Sequence, residues 1–212
     1  MKKTILFDLN GTLTDSGEGI INCAVYALEH LGLPIPTREE LRVFVGPPLT
    51  DTFVKFGVPP TDVLEAVRLF RERYIPIGMY ENKPYSGIRE LLETLRNEGH
   101  ILCIATSKLE SMATEILGHF DLAKYFHYVC GATPDHTRDT KEQVISYLMS
   151  QCKSEHPWVM VGDTAFDVIG AKAHNIPAIG VAWGYGKVEE MQNAGATAIV
   201  YDTDELLKEL QK

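Results

Sequence analysis

Cysteine is scarce and unpaired: Cys23, Cys103, Cys130 and Cys152 are dispersed, with no CxxC spacing. This argues against a disulfide framework. With Cys103 and Cys130 inside apolar runs, it points to core thiols in a reducing, cytoplasmic compartment. Long hydrophobic stretches are also missing, and nothing approaches the roughly 20 apolar residues of a membrane-spanning helix. The opening "MKKTILFDL" begins like a secretion signal, but Asp8 interrupts the run too early. Basic charge is in deficit, with 20 Lys and Arg against 29 Asp and Glu and a formal net charge of -9. A general nucleic-acid surface is therefore not expected, and an anionic ligand would have to meet a local cation or a metal. There are no internal repeats and no low-complexity segments. The seven histidines show no HExxH or other ligand spacing, so they read as surface or satisfied core residues. What remains is an ordinary globular composition, 45% hydrophobic and 23% charged over 212 residues. That length suits one large domain, or a domain carrying a smaller insertion.

Short apolar runs rich in β-branched residues stand at Thr4–Phe7, His100–Thr106, Tyr128–Cys130, Trp158–Val161 and Ala178–Ala182. Most alternate with helical periodicity, at Ile88–Asn97, Lys141–Met149, Ala165–His174 and Asp204–Leu210. Strands buried on both faces and alternating with helices predict an α/β fold, a Rossmann-like parallel sheet with helices on both faces and right-handed crossovers. Residues 16–83 break the alternation. They hold no clear strand, and four helical patterns (Ile20–Leu31, Arg38–Phe44, Leu49–Phe56, Thr61–Tyr74) are punctuated by "GLPIPT", "VGPPL" and "GVPP". This reads as a helical insertion in a core made of residues 1–15 and 84–212.

Parallel α/β sheets bind ligands beyond the carboxyl ends of their strands. Asp8, Asn10 and Thr12 follow the first run, and Thr106, Ser107 and Lys108 follow the second. Lys141 opens the helix after the third, and Asp163 and Asp167 follow the fourth in "VGDTAFD". These groups suit phosphoryl transfer. A carboxylate can attack phosphorus, and two neighbouring carboxylates call for a hard, oxygen-preferring cation such as Mg²⁺ between them. Thr106 offers a hydroxyl to a phosphoryl oxygen, and Lys141 offers a fixed positive charge. Asp163 and Asp167 taken alone would read as a helix N-cap and a first-turn acid, and Asn10-Gly11 alone as a hairpin turn. The hairpin reading needs alternating strands on both sides, which "ILF" and "TLTDSGEG" do not provide.

"DLNGT", the strand end "ILCIATSK", Lys141 and "GDTAFD" resemble, in order and spacing, the four motifs of the haloacid dehalogenase-like phosphatases, over essentially the whole chain. The nearest flavour is the phosphoglycolate-phosphatase-like branch, which also contains nucleotidases and pyrophosphatases. The resemblance implies a cap in residues 16–83 and Asp8 as nucleophile. It implies Thr106, Ser107 and Lys141 as phosphate ligands. Mg²⁺ would be held by Asp8, Asp163, Asp167 and the main-chain carbonyl of Asn10. Glu18 near the cap entrance, Arg42 and Gly46 of the "VGPPL" turn are further candidates for substrate contact. The expected partner is a small phosphorylated metabolite, with no nucleic acid and no membrane, for a monomer or homodimer.

Asn10 departs from the family pattern, which has Asp there as general acid and then base. An amide moves no proton, and such help is typically worth ~10²–10⁴-fold. Three origins fit: a substitution made to trap an intermediate, a natural slow enzyme or phosphate-binding pseudoenzyme, or an Asn-Gly pair that deamidates to Asp. The intact remaining motifs favour the first. A phosphomutase or pyrophosphatase of the same fold is the nearest rival. A phosphonate hydrolase would need a cap lysine such as Lys55, a dehalogenase would not need the acids at 163 and 167, and a phospho-receiver domain would be much shorter.

Overall fold

The computed structural model describes residues 1–135 and 137–212; His136, one of the seven histidines, lies outside the described residues. The first apolar run forms β1 (Thr4–Phe7), and all four residues are buried. A strand that covers both faces in this way belongs inside a sheet rather than in a hairpin.

Contacts divide the chain into two units, Met1–Thr14 with Pro84–Lys212, and Asp15–Lys83. The first crossing falls one residue earlier than the pattern suggested. The Asp15–Lys83 unit is helical, with α1 (Gly17–His30), α2 (Arg38–Leu41), α3 (Leu49–Lys55) and α4 (Val63–Arg73). Helix α2 starts on a capping box in which the Thr37 hydroxyl accepts from Glu40 N. The pattern over Arg38–Phe44 is therefore one short helix followed by a 3₁₀ turn at Arg42–Phe44. The one over Thr61–Tyr74 ends in a wide π turn, Tyr74–Gly78, whose central Pro76 has no N–H to continue the α ladder. Phe44, Phe53 and Phe70 are buried here, with Phe53 edge-on to both of the others and Phe70 stacked on Tyr74.

The other unit continues with α5 (Ile88–Asn97), β2 (Ile101–Leu109), α6 (Glu110–His119), β3 (Tyr128–Ala132) and α7 (Lys141–Gln151). It closes with β4 (Trp158–Gly162), α8 (Ala165–Lys172), β5 (Ala178–Val181), α9 (Val188–Ala194), β6 (Ala198–Val200) and α10 (Thr203–Gln211). Helix α5 matches its predicted span, and Ile88, Leu91, Leu92 and Leu95 form its buried stripe. Each such side chain contributes at most ~1.5–3 kcal/mol by leaving water. Strand β6 and helices α6 and α9 had no counterpart among the sequence patterns, and β2 runs three residues past Thr106.

The six strands are parallel, in the order β3-β2-β1-β4-β5-β6. The fold is a Rossmann-like α/β sheet. The chain fills one side of β1 with β2 and β3, then crosses to the other side for β4, β5 and β6. The order thus reverses around β1, and a crevice at the strand ends is expected there. On one face Leu6, Cys103, Ala105 and Met160 pack with Val144, Ile145 and Leu148 of α7 and Val168 and Ala171 of α8. All four cysteines are free and buried. His100 is a satisfied core histidine, accepting from Lys3 N at 3.0 Å on Nδ1 and facing Glu98 with Nε2. Among the described residues, no helix is long and apolar enough to cross a membrane.

Candidate active site

Register decides which side chains meet. Phe7 is level with Ile104 of β2 and Val161 of β4. One residue on, Asp8 leaves β1 beside Ala105 and Gly162, with Thr106 and Asp163 just above. Asp8 N donates to Val161 O, so the chain stays locked to β4 up to the carboxylate. The loop then closes tightly, with Leu13 N and Thr14 N both donating to Leu9 O and Gly11 N to Thr14 O. Asn10-Gly11 does turn the chain, but next to a central strand rather than between hairpin partners. Gly11 has φ +87, and an added Cβ would collide with the Asp163 carboxylate. Both the conformation and the space require glycine.

Lys141 is the first residue of α7, where a cation opposes the helix dipole. The capping box just before it explains the placement. Thr140 Oγ1 accepts from Gln143 N, and Thr140 N donates to Gln143 Oε1. Lys141 is held there by its partners: Nζ donates to Asp8 Oδ1 at 2.6 Å and to Ala105 O at 2.7 Å. It also forms an ion pair with Asp167 Oδ1 at 2.8 Å, off the hydrogen-bond direction. Asp167 Oδ2 accepts from Thr164 N and Thr164 Oγ1. Asp167 therefore serves as the first-turn acid of α8 and faces Lys141 as well. Asp163 accepts from Thr12 Oγ1 at 3.2 Å on one oxygen and from Tyr185 N at 2.9 Å on the other.

Three carboxylates, Asp8, Asp163 and Asp167, are buried with oxygens within 4.8 Å of one another. Against them stands one ammonium, so full ionisation would leave two uncompensated negative charges. The strain appears in the ionisation. Burial drives the Asp8 carboxyl above its ordinary range; Lys141 and the Thr106 hydroxyl pull it back, and Asp167 adds to the rise. Asp163 is pushed up to about 7, first by burial and then by Asp167 and Asp8, despite its bonds from Tyr185 N and Thr12. Burial opposes the charge on Lys141, but Asp167 and Asp8 outweigh it and hold the ammonium protonated well above its usual range. An all-oxygen donor set with an excess of two negative charges fits a hard divalent cation. Asp163 has the strongest need of it, because Lys141 pairs with Asp8 and Asp167 but not with Asp163.

Asn10 is half-buried, and its Oδ1 is buried without a hydrogen-bond partner. Thr106 is buried, while Ser107 is exposed on the far part of β2. Glu18, Arg42 and Gly46 belong to the helical unit. All three are exposed, and Gly46 has φ +107, which accounts for glycine in its turn. The sequence reading overlooked the loop after β5. Its Tyr185 N holds Asp163, its Gly184 leaves room where a Cβ would collide with the Asp163 side chain, and Trp183 Nε1 donates to Thr12 O at 3.0 Å. The signal was present in "AWGYGK", which follows an apolar run as the other motifs do.

A buried carboxylate cluster with one lysine, at the reversal point of a parallel sheet, defines an α/β protein whose site suits a hard divalent cation. Residues 5–181 match the haloacid dehalogenase-like hydrolase family, and the chain belongs to it. The chain is 41% identical over 191 residues to a 5'-nucleotidase of Pseudomonas aeruginosa, covering 89% of this chain and 86% of that protein. It is 37% identical to the tyrosine-protein kinase PtkA of Mycobacterium tuberculosis, over 93% of this chain and 68% of that one. Among solved structures, a predicted phosphatase from Clostridium acetobutylicum superposes with a TM-score of 0.91 at 40% identity, covering 100% of this chain and 99% of that chain.

Proposed function

We propose that this hydrolase is a Mg²⁺-dependent phosphomonoesterase of small phosphorylated metabolites, working through an aspartyl-phosphate on Asp8. The observation that carries the reading is the setting of Asp8, buried at the end of the central strand, tied to Lys141 at 2.6 Å and within 4.8 Å of Asp163 and Asp167. The names of its relatives support phosphate esters of the nucleotide or phosphoglycolate kind.

In this reading Asp8 is the nucleophile, oriented by Lys141, which also offsets charge as the carboxylate meets an anionic phosphoryl group. Thr106 donates to a phosphoryl oxygen, with Ser107 beside it. Asp8, Asp163 and the main-chain carbonyl of Asn10 would hold the cation, and Asp167 sets the lysine. The cation supplies charge neutralisation on the phosphoryl oxygens. Within residues 16–83, Glu18, Arg42 and Gly46 are the candidates for recognising the rest of the substrate. Asn10 moves no proton, so turnover is lower than in the Asn10→Asp variant by ~10²–10⁴-fold.

Phosphate release from nucleoside 5'-monophosphates, 2-phosphoglycolate and pyrophosphate, with and without Mg²⁺, tests this. Release that Asp8→Asn does not reduce rules the reading out. Asn10 favours one second reading, a non-catalytic phosphate-ester binder. Tight calorimetric binding of an ester with no turnover even in Asn10→Asp would establish it.

A further inference from the structure

None of the buried side chains around Asp8 is a free acid able to give a proton to a departing oxygen. Asn10 stands two residues beyond Asp8, and its carboxamide is neither acid nor base near neutrality. Its Oδ1 is buried and unpartnered, so the side chain presents an acceptor there. Lys141 is engaged three ways, by Asp8, Ala105 O and Asp167, and stays charged. Asp163 accepts on both oxygens, from Thr12 and Tyr185 N, and Asp167 accepts from Thr164 while facing Lys141. Thr12, Thr14 and Thr106, the remaining buried polar side chains of this loop and the neighbouring strand end, are hydroxyls and not acids near neutrality.

We propose that this chain selects phosphoryl donors whose leaving oxygen needs no proton, such as acyl phosphates, aryl phosphates and phosphoanhydrides, over alkyl phosphates. The inference rests on the phosphatase reading above and narrows it: nucleoside monophosphates and phosphoglycolate are alkyl esters, so with Asn at position 10 they become slow substrates. In the first step an Asp8 oxygen bonds to phosphorus and the bond from phosphorus to the leaving oxygen breaks. The electron pair stays on that oxygen as carboxylate, phenolate or phosphate, and any proton it later gains comes from solvent. For an alkyl ester the same step would expel an alkoxide, which is far more basic. In the second step water bonds to phosphorus and gives its proton to solvent, and the pair of the breaking bond returns to Asp8. With no base at position 10 this step is slow as well, so the aspartyl-phosphate persists.

The test uses the full chain with Mg²⁺, after intact mass has verified Asn at position 10. Rates are measured for acetyl phosphate, 4-nitrophenyl phosphate, phenyl phosphate and glycerol phosphate, in this chain and in Asn10→Asp. The expected result is a steep fall in kcat/KM as the leaving group becomes more basic. Asn10→Asp should flatten it, raising glycerol phosphate by ~10²–10⁴-fold and acetyl phosphate much less. Rapid-quench mass spectrometry with acetyl phosphate should show a phosphorylated chain that persists with Asn10 and decays quickly in the Asn10→Asp variant. Two active chains with parallel slopes overturn the leaving-group inference and leave the phosphatase reading standing. Silence of both chains on every donor removes the phosphatase reading and this inference with it.

Discussion

The two units handle charge in opposite ways. Every buried Asp or Lys among the described residues (Asp8, Lys141, Asp163 and Asp167) lies in the α/β unit, within one cluster. The helical unit pairs its charges one to one or leaves them in water: Arg73 and Glu81 form a partly buried pair, and Arg68 bridges Glu65 and Glu72 on α4, with all three side chains about half exposed. Its interior is instead aromatic, built around Phe44, Phe53 and Phe70. Buried like charges destabilise a fold, and a unit that only has to pack avoids them. Their concentration at one strand edge marks where the chain accepts that cost for chemistry.

The largest effect expected from this contrast is on catalysis. Asp8→Asn keeps the shape of the cluster and removes the proposed nucleophile, so phosphate release should fall about 10⁴-fold or more. A fall of only a few-fold would mean that Asp8 is not the attacking group. Lys141→Met leaves Asp8 and Asp167 facing each other uncompensated in a dry site, at a cost of about 3–5 kcal/mol. Its thermal midpoint should drop well below that of the parent, and an unchanged midpoint would contradict the charge argument.

Phe53→Ala, in the helical unit, should cost about 3–5 kcal/mol through the cavity it opens between Phe44 and Phe70. Calorimetric Mg²⁺ affinity should stay as in the parent, which separates the two kinds of burial. Asp163→Asn should act through pH. The Asp163 pKa rises on folding from 3.8 to about 7, so between those values the metal-free folded chain binds a proton that the unfolded chain releases. Stability therefore falls as pH rises through this window, and the loss is complete above about pH 7. The variant should flatten that slope in urea titrations and be more stable without metal at neutral pH, on the order of 1–3 kcal/mol. Added Mg²⁺ should reverse the ranking, since it stabilises only the chain that binds it. The smallest effect is Arg68→Ala, whose exposed pairs are screened by solvent and should leave the thermal midpoint unmoved.

Much of the α/β unit was legible because its signals are local. The stripe of α5, the apolar block of β1 and the Thr140–Gln143 capping box each sit within a few adjacent residues. The misses also have local causes. Strand β6 pairs only with β5 at the edge of the sheet, and only one of its three residues is buried, so it lacks the apolar block of an interior strand. Strand β2 extends past Thr106 through a register break between Ala105 and Leu109 that ends against Ala132, a pairing no local pattern reveals. Tyr185 was missed for another reason: it contributes a backbone N–H, and every residue except proline has one.

The sequence by itself determined which residue types end each strand, the alternation that makes a parallel sheet, and the amide at position 10. These are properties of periodicity and side-chain chemistry, complete within short windows. Only the tertiary structure decided the strand order, and with it that Asp8, Lys141, Asp163 and Asp167, far apart along the chain, share one buried space. It also decided their ionisation, because burial and neighbouring charge do not exist until the strands are in register. The step from a set of plausible side chains to a cluster that needs a cation was made by packing.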